Sequence, residues 1–424
     1  MHYLWKNRLF HSLNLKTTDG EPLKIIFPGY HNTDAGPDFK QAIVQIGDLR
    51  WAGDVEIHIR SSDWYRHGHQ HDDKYLSVAL HVVYEHDCEV ERKKGEPFST
   101  LELKDRIPHD MLRQYENLVG SPLRLPCEPL LDQIDPLQFR ALQSTMLVQR
   151  LLRKQKHILD IVRECDGDWK EAMFRLLAVG FGFKTNTDAF ELMAKSLPYK
   201  VVAKHSDSAV QTAALVFGQA GMLQKNEQDD YYNALKGEYD YLRYKYQLIP
   251  ISERHWNLLR LRPSNFPCVR LAQFAALLHK VPDLTTECLR HPSTTYLKDI
   301  MSVSADPYWK NHYHFGKKTI LPHGVALGDA ALSLLIVNVI VPFLFAYQRF
   351  SGEEAKPEEL VSMLDNLPFE DNKKTRIFKT TPFPMQSASD SQALLELFQF
   401  YCMTKHCLDC SVGECLVRNR GRKK

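Results

Sequence analysis

The spacing of hydrophobic and polar positions changes once along the chain. Up to about residue 120, apolar residues come in short runs or alternate with polar ones, which is the period of strands. From Asp135 onward they recur every three or four residues, which is the period of helices. Residues 23–27 read as a strand ended by Pro28-Gly29. Residues 41–46 alternate in part and stop at Gly47-Asp48, a turn signal. Residues 51–60 resume the strand. Val55, Ile57 and Ile59 point to one face and Asp54, Glu56, His58 and Arg60 to the other, because strand side chains alternate. The two runs predict a hairpin. Residues 78–84 are apolar enough for a central strand. Residues 62–74 between them are too polar for core and read as a loop or short helix. A short helix over 5–10, a short strand over 100–103 and a helix over 108–119 complete this part.

The Pro-rich run 120–129 reads as a linker. Asp135-Pro136, an N-cap followed by Pro at the first helical position, opens the helical part. Leu137, Leu142, Met146, Leu147, Leu151, Leu152, Ile158 and Ile161 then keep one stripe. Further helices are predicted over 168–181, 187–197, 208–222, 227–248, 269–278 and 327–350. The expected fold class is α+β. An N-terminal mixed β-sheet domain (1–120) precedes a mostly α-helical domain (121–385). A last segment (386–424) holds a helix, a Cys-rich metal knot and a basic tail.

Composition narrows the possibilities. The 424 residues carry a formal net charge of only +2, so no global nucleic-acid signature is present. The apolar run 330–346 is interrupted by Ser333, Asn338 and Pro342 and is short for a membrane span. It is expected to be a buried helix, with no membrane partner. Residues 1–6 lack the pattern of a secretory signal, so a cytoplasmic location is expected. The nine Cys are then not a disulfide framework. No Gly-rich phosphate loop, GxSxG elbow or HExxH pair occurs, which argues against the ATPases, serine hydrolases and zincins that carry them. Oligomeric state has no signature here.

Candidate chemistry concentrates in two places. Between Gly36 and His81 lie Asp38, Asp54, Glu56, His58, Asp63, His67, His69, His71, Asp72, Asp73 and His81. Glu56 and His58, two apart on one strand face, stand roughly 7 Å from each other, close enough to share a metal or a substrate group. At the other end, Cys402, Cys407, Cys410 and Cys415 place four of the nine Cys within 14 residues. Cys407-x2-Cys410 has the spacing of a thiolate knuckle, and a tetrahedral zinc site is the leading reading. An iron–sulfur cluster also takes four thiolates, and His406 could replace one sulfur. The bland alternative is a helical hairpin with partly buried thiols.

These residues carry two resemblances. The runs TTDGEPL, PGYHNTDAGPDF, WAGDVEIHIRSSDWYRHGH and LHVVYEHD, the later RPSNFPCVRLAQ and the Cys-rich end closely resemble a bacterial family catalogued as domain of unknown function 2851. That resemblance spans nearly the whole chain and implies no particular chemistry. Asp38, a hairpin and then Glu56-Ile57-His58 resemble the core of the PD-(D/E)XK nuclease superfamily, with His58 where Lys is usual. This second resemblance implies a metal-dependent phosphodiesterase acting on nucleic acid. Asp38 and Glu56 would hold Mg²⁺, His58 would orient or deprotonate water, and His67, His69 and Tyr75 would touch the substrate. The residues also admit a hydrolase with an imidazole-bound metal, built from His58, His67, His69 and His81. They equally admit a non-enzymatic binding or scaffold protein. A nuclease predicts that Asp38, Glu56 and His58 meet at one sheet edge in an open cleft with basic walls. A His-type hydrolase predicts that His67, His69 and a third His converge. A scaffold predicts these side chains paired off or splayed apart.

Overall fold

The alternating pattern of the first hundred residues becomes a single mixed sheet. Its strands are β1 (Leu23–Phe27), β2 (Tyr30–His31), β3 (Phe39–Ile46), β4 (Leu49–Arg60), β5 (Val78–Glu85) and β6 (Thr100–Glu102). The order is β1-β3-β4-β5-β6, with β2 paired to β3. The predicted hairpin is β3–β4, turning at Gly47, whose φ of +56° suits glycine. β4 and β5 are parallel, as are β5 and β6. Parallel neighbours need a crossover, and residues 61–77 supply it as α2 (Asp63–Arg66, α1 being His2–Lys6) followed by two 3₁₀ turns. This computed structural model describes residues 1–418 apart from 92, 94, 96, 226–228, 260 and 353–356; the basic tail beyond Arg418 lies outside the described residues.

Both faces of the sheet are covered, and by different chemistry. Val55, Ile57, Leu80 and Val82 join Trp5, Phe10, Phe39, Val44 and Leu101 in one apolar core. On the opposite face the apolar cluster is small, with Trp64, Val78, Val90 and Phe98, flanked by Tyr75. Glu56, His58 and His81 share this second face and are all buried. Residues 62–74 were expected to lie outside the core because of their polarity. Trp64, however, is 1% exposed; the single indole closes the crossover over the sheet, and the polar residues around it face the site or solvent.

A bulge sets the register that matters. Gln41 has a left-handed φ of +59°, costing roughly 1–2 kcal/mol for a residue with a Cβ. The β3–β4 register shifts there, between Phe39 and Ala42. Asp54 holds the kink: its carboxylate accepts the Gln41 N–H (3.0 Å) and the Ser77 hydroxyl (2.6 Å). Phe39 consequently pairs with Val55, which brings Asp38 beside Glu56.

The helical period after Asp135 is realised over most of its length, in helices Pro136–Glu164, Trp169–Phe181, Thr187–Ser196, Ala209–Gln219, Asp230–Tyr246 and Pro267–Lys280. The apolar run falls within a continuous helix, Asp329–Ser351, with a π-turn at Ile336–Ile340 before Pro342. This helix is long and apolar enough to cross a membrane, yet 72% of its most apolar window is buried within the fold. Contacts divide the chain into Met1–Gln138 with Tyr401–Lys424, and Phe139–Phe400. That division differs from the 1–120, 121–385 and 386–424 segmentation expected from composition, because the linker and the Cys-rich end belong to the sheet unit.

Candidate metal centre

Each side chain of the centre owes its place to a local element. β4 presents Glu56 and His58 on the same face, and the parallel register sets His81 of β5 opposite Glu56. The crossover brings His67, the C-cap of α2, and His69, the first residue of the next turn, back over that face. Gly68 between them has a φ of +74°, a conformation glycine adopts without strain, and it reverses the chain so that both rings return to one point. The crossover is anchored by Asp63, which accepts the Arg60 N–H (3.1 Å), and by Ser61, whose hydroxyl bonds to Asp87 and Cys88.

The resulting distances are those of ligands around one ion. His58 Nε2 lies 3.2 Å from His67 Nδ1, Glu56 Oε1 lies 3.3 Å from His69 Nε2, and Glu56 Oε1 lies 3.6 Å from His58 Nε2. In a tetrahedral site with bonds near 2.0–2.1 Å, donor atoms stand about 3.3 Å apart. One nitrogen from each of His58, His67 and His69 lies within 4.8 Å of the other two. His69 Nε2 is buried and makes no hydrogen bond, since its approach to Glu56 has ion-pair distance without hydrogen-bond geometry. A buried imidazole nitrogen aimed at a carboxylate and two other imidazoles fits a cation between them.

Outer groups orient the inner ones. His58 Nδ1 is 2.8 Å from His81 Nε2. If His58 donates from Nδ1, its Nε2 lone pair is free for a metal; this is the tautomer that metal ligation requires. His69 stacks on Tyr75 with centroids 3.8 Å apart, and Trp64 packs edge-on against His69 and His58. Tyr75 thus forms a wall against which His69 rests.

Electrostatics favour neutral rings and an uncharged carboxyl in the absence of an ion. Burial, then His69 and His67, push His58 down to about 4. Burial, then His58, push His81 down to about 3. Burial, then His67, lower His69. Neutral imidazoles are the metal-binding form. Burial and the Asp38 charge push Glu56 up to about 8. Burial alone would raise Asp38, but His2, the Ile57 N–H and His58 outweigh it and hold its carboxyl below the usual range.

Asp38, Glu56 and His58 thus lie together, on the face of internal strands rather than at a sheet edge, and His58, His67 and His69 converge. The two carboxylates are partly committed to each other's backbone. Glu56 Oε2 accepts the Asp38 N–H (3.1 Å), and Asp38 Oδ2 accepts the Ile57 N–H (3.0 Å) and lies 3.1 Å from His2 Nε2. Asp54, His71, Asp72 and Asp73 lie outside the cluster; Asp72 caps its 3₁₀ turn through the Lys74 N–H, and Asp73 pairs with Lys93. Sequence reasoning missed His2, which no motif marks, and Trp64, hidden in a polar run.

Residues 1–373 match the model of a family described as "Protein of unknown function (DUF2851)". The chain belongs to this family. No curated protein and no solved structure matches it. The part of the chain that matches the DUF2851 model contains the entire His-rich centre. Cys402, Cys407, Cys410 and Cys415 lie beyond the match.

Proposed function

We propose that the sheet unit is a metal-dependent hydrolase whose ion is held by His58, His67 and His69, with Glu56 beside it. The observation that supports this most is the set of donor separations, 3.2, 3.3 and 3.6 Å, around one point on the β4 face. Three imidazoles suit zinc or another borderline metal better than Mg²⁺. His67 is exposed while His58 is buried, so one side of the centre is open to solvent, as a catalytic rather than a closed structural site requires. Such an ion would lower the pKa of a bound water and polarise the scissile group. Glu56 is the group placed to carry a proton, because its Oε1 stands 3.3 Å from His69 Nε2 and 3.6 Å from His58 Nε2 beside the ion. His81 holds the His58 tautomer, and Tyr75 and Trp64 exclude water from the back of the centre.

A second reading, a Mg²⁺-dependent phosphodiesterase acting on nucleic acid through Asp38, Glu56 and His58, is favoured by the adjacency of the two carboxylates across the β3–β4 bulge. One experiment weighs both. Metal content is measured on purified protein, and cleavage of an aryl phosphodiester, an aryl ester, single-stranded DNA, plasmid and RNA is assayed with Zn²⁺, Mn²⁺ or Mg²⁺. The hydrolase reading expects turnover with Zn²⁺ or Mn²⁺ that His69→Ala and Glu56→Gln abolish. Turnover with Mg²⁺ that needs Asp38 but survives His69→Ala would establish the second reading instead. No turnover with any metal, together with no metal affinity, would overturn both and leave a binding or scaffold role.

A further inference from the structure

The C-terminal segment of the sheet unit buries three thiols. Cys402, Cys407 and Cys410 are each exposed by less than a tenth. Cys407–Asp409 forms a single 3₁₀ turn, and helix Ser411–Arg418 follows directly. The backbone N–H groups of Val412 and Gly413, in the first turn of that helix, bond to the Cys410 sulfur. Gly413 allows a close approach: a Cβ there would lie 2.1 Å from the Cys407 carbonyl oxygen. Burial raises the Cys410 thiol, and these two N–H groups act against it, as donors to a metal-bound sulfur in a Cys-x2-Cys turn would.

The fourth thiol comes from the other end of the unit. The Pro-rich run does not act as a free linker. The Lys405 ammonium donates to the carbonyls of Val119 and Ser121, at 2.5 and 3.1 Å. The Gln138 amide donates to the Ser411 carbonyl at 3.2 Å. Residues 119–138 are therefore tied at both ends to the turn that carries Cys407 and Cys410. Cys127 sits midway, half-buried, as the N-cap of the 3₁₀ turn Glu128–Gln133. Cys127 lies near enough to Cys407 and Cys410, and Cys402 near enough to all three, for their charges to act on one another. Burial first, and then these neighbours, push Cys127 up to about 12.

We propose that Cys127, Cys402, Cys407 and Cys410 form a four-thiolate centre for one soft metal site, a zinc ion or an iron–sulfur cluster. In this assignment Cys127 replaces Cys415, the fourth ligand expected from the sequence. Cys415 stands on the flank of its helix away from the buried Val412, Leu416 and Val417. The donor chemistry suits both occupants: four thiolates satisfy tetrahedral zinc, and Cys402-x4-Cys407-x2-Cys410 repeats three ligands of a known cluster spacing, with the fourth Cys before them rather than after. The centre is a staple. Its first ligand precedes the whole Phe139–Phe400 unit in sequence and the other three follow it, so the metal fastens the chain's return to the sheet unit. It is independent of the His-rich centre.

The test measures zinc, iron and acid-labile sulfide on full-length protein purified without oxygen, together with its visible absorbance. Colourless protein with zinc identifies the ion; brown protein with iron and sulfide identifies the cluster. Either outcome supports the site if the metal persists in His67→Ala/His69→Ala and in Cys415→Ser and, in the His67→Ala/His69→Ala background, where the His-rich centre holds none, falls at least tenfold when Cys127→Ser is added. Full metal retention in Cys127→Ser, or loss in Cys415→Ser alone, would overturn it. So would wild-type protein that holds no metal and takes up none. If Cys127→Ser does not fold, thiol labelling of the wild type decides. Cys127, Cys402, Cys407 and Cys410 become reactive together when a chelator is added, while Cys415 labels equally before and after. Labelling of Cys127 that ignores the chelator refutes the assignment.

Discussion

Glu56→Gln tests the electrostatics of the His-rich centre. Glu56 is 5% exposed, and its carboxyl is pushed from its ordinary 4.5 up to about 8. Each unit corresponds to about 1.4 kcal/mol, so charging this carboxyl in the metal-free fold costs on the order of 5 kcal/mol. The folded chain keeps a proton that the unfolded chain has lost, so stability falls as pH rises from 4.5 to about 8. The imidazoles act in the opposite sense. His58 and His81 stay neutral down to about 4 and about 3, so their contribution is lost as pH falls below 6.5 through those values. The metal-free unit is therefore most stable near pH 6–7, with an alkaline arm due to Glu56. Gln keeps the shape, can accept the Asp38 N–H and has no proton to lose. In chelator-treated protein, hydrogen exchange of β4 and β5 peptides, corrected for intrinsic pH dependence, reads the opening free energy of this unit alone. Between pH 6.5 and 8.5 the wild type should lose about 2 kcal/mol relative to Glu56→Gln, at a slope near 1 kcal/mol per pH unit. Zinc should abolish the difference in slope, because an ion replaces the proton. Parallel lines for the two proteins without metal would refute the argument that burial beside Asp38 keeps Glu56 protonated.

Three other outcomes are expected. His81→Phe, which removes the 2.8 Å partner of His58 while keeping ring volume, should weaken zinc binding roughly 10–100-fold by competition with a chromophoric chelator; unchanged affinity would mean His81 is only core. Gly413→Ala drives a Cβ against the Cys407 carbonyl and should destabilise the C-terminal turn by about 1–3 kcal/mol, read as faster labelling of Cys407 and Cys410. Gly218→Ala places a Cβ 2.0 Å from the Tyr239 ring in the helical unit and should lower the melting temperature by several degrees, with β4 and β5 exchange unaffected.

Much of the local structure was legible before the fold was known. Alternation across 51–60 put Glu56 and His58 on one face, and they share it in β4. The Gly47-Asp48 turn, the apolar strand at 78–84 and most of the long helices followed from period and punctuation, because each depends on neighbours a few residues away. The crossover was less legible. Polarity averaged over residues 62–74 hid Trp64, since one buried indole among charged neighbours barely changes a window. His67-x-His69 could be read equally as idle loop residues or as ligands, because spacing alone does not say where a turn points.

The sequence by itself determined which residue types were available, which strand face they occupied and that thiols crowd the C-terminus. Only the tertiary structure decided the groupings. The parallel pairing of β4 with β5 forces a crossover, and that crossover returns His67 and His69 over His58 and Glu56. The bulge at Gln41 brings Asp38 to Glu56. The return of the chain after Phe400 ties the segment that holds Cys127 to a turn with cysteines nearly three hundred positions later. Such long-range juxtapositions follow from how sheet faces and distant segments bury one another, and local pattern carries no record of them.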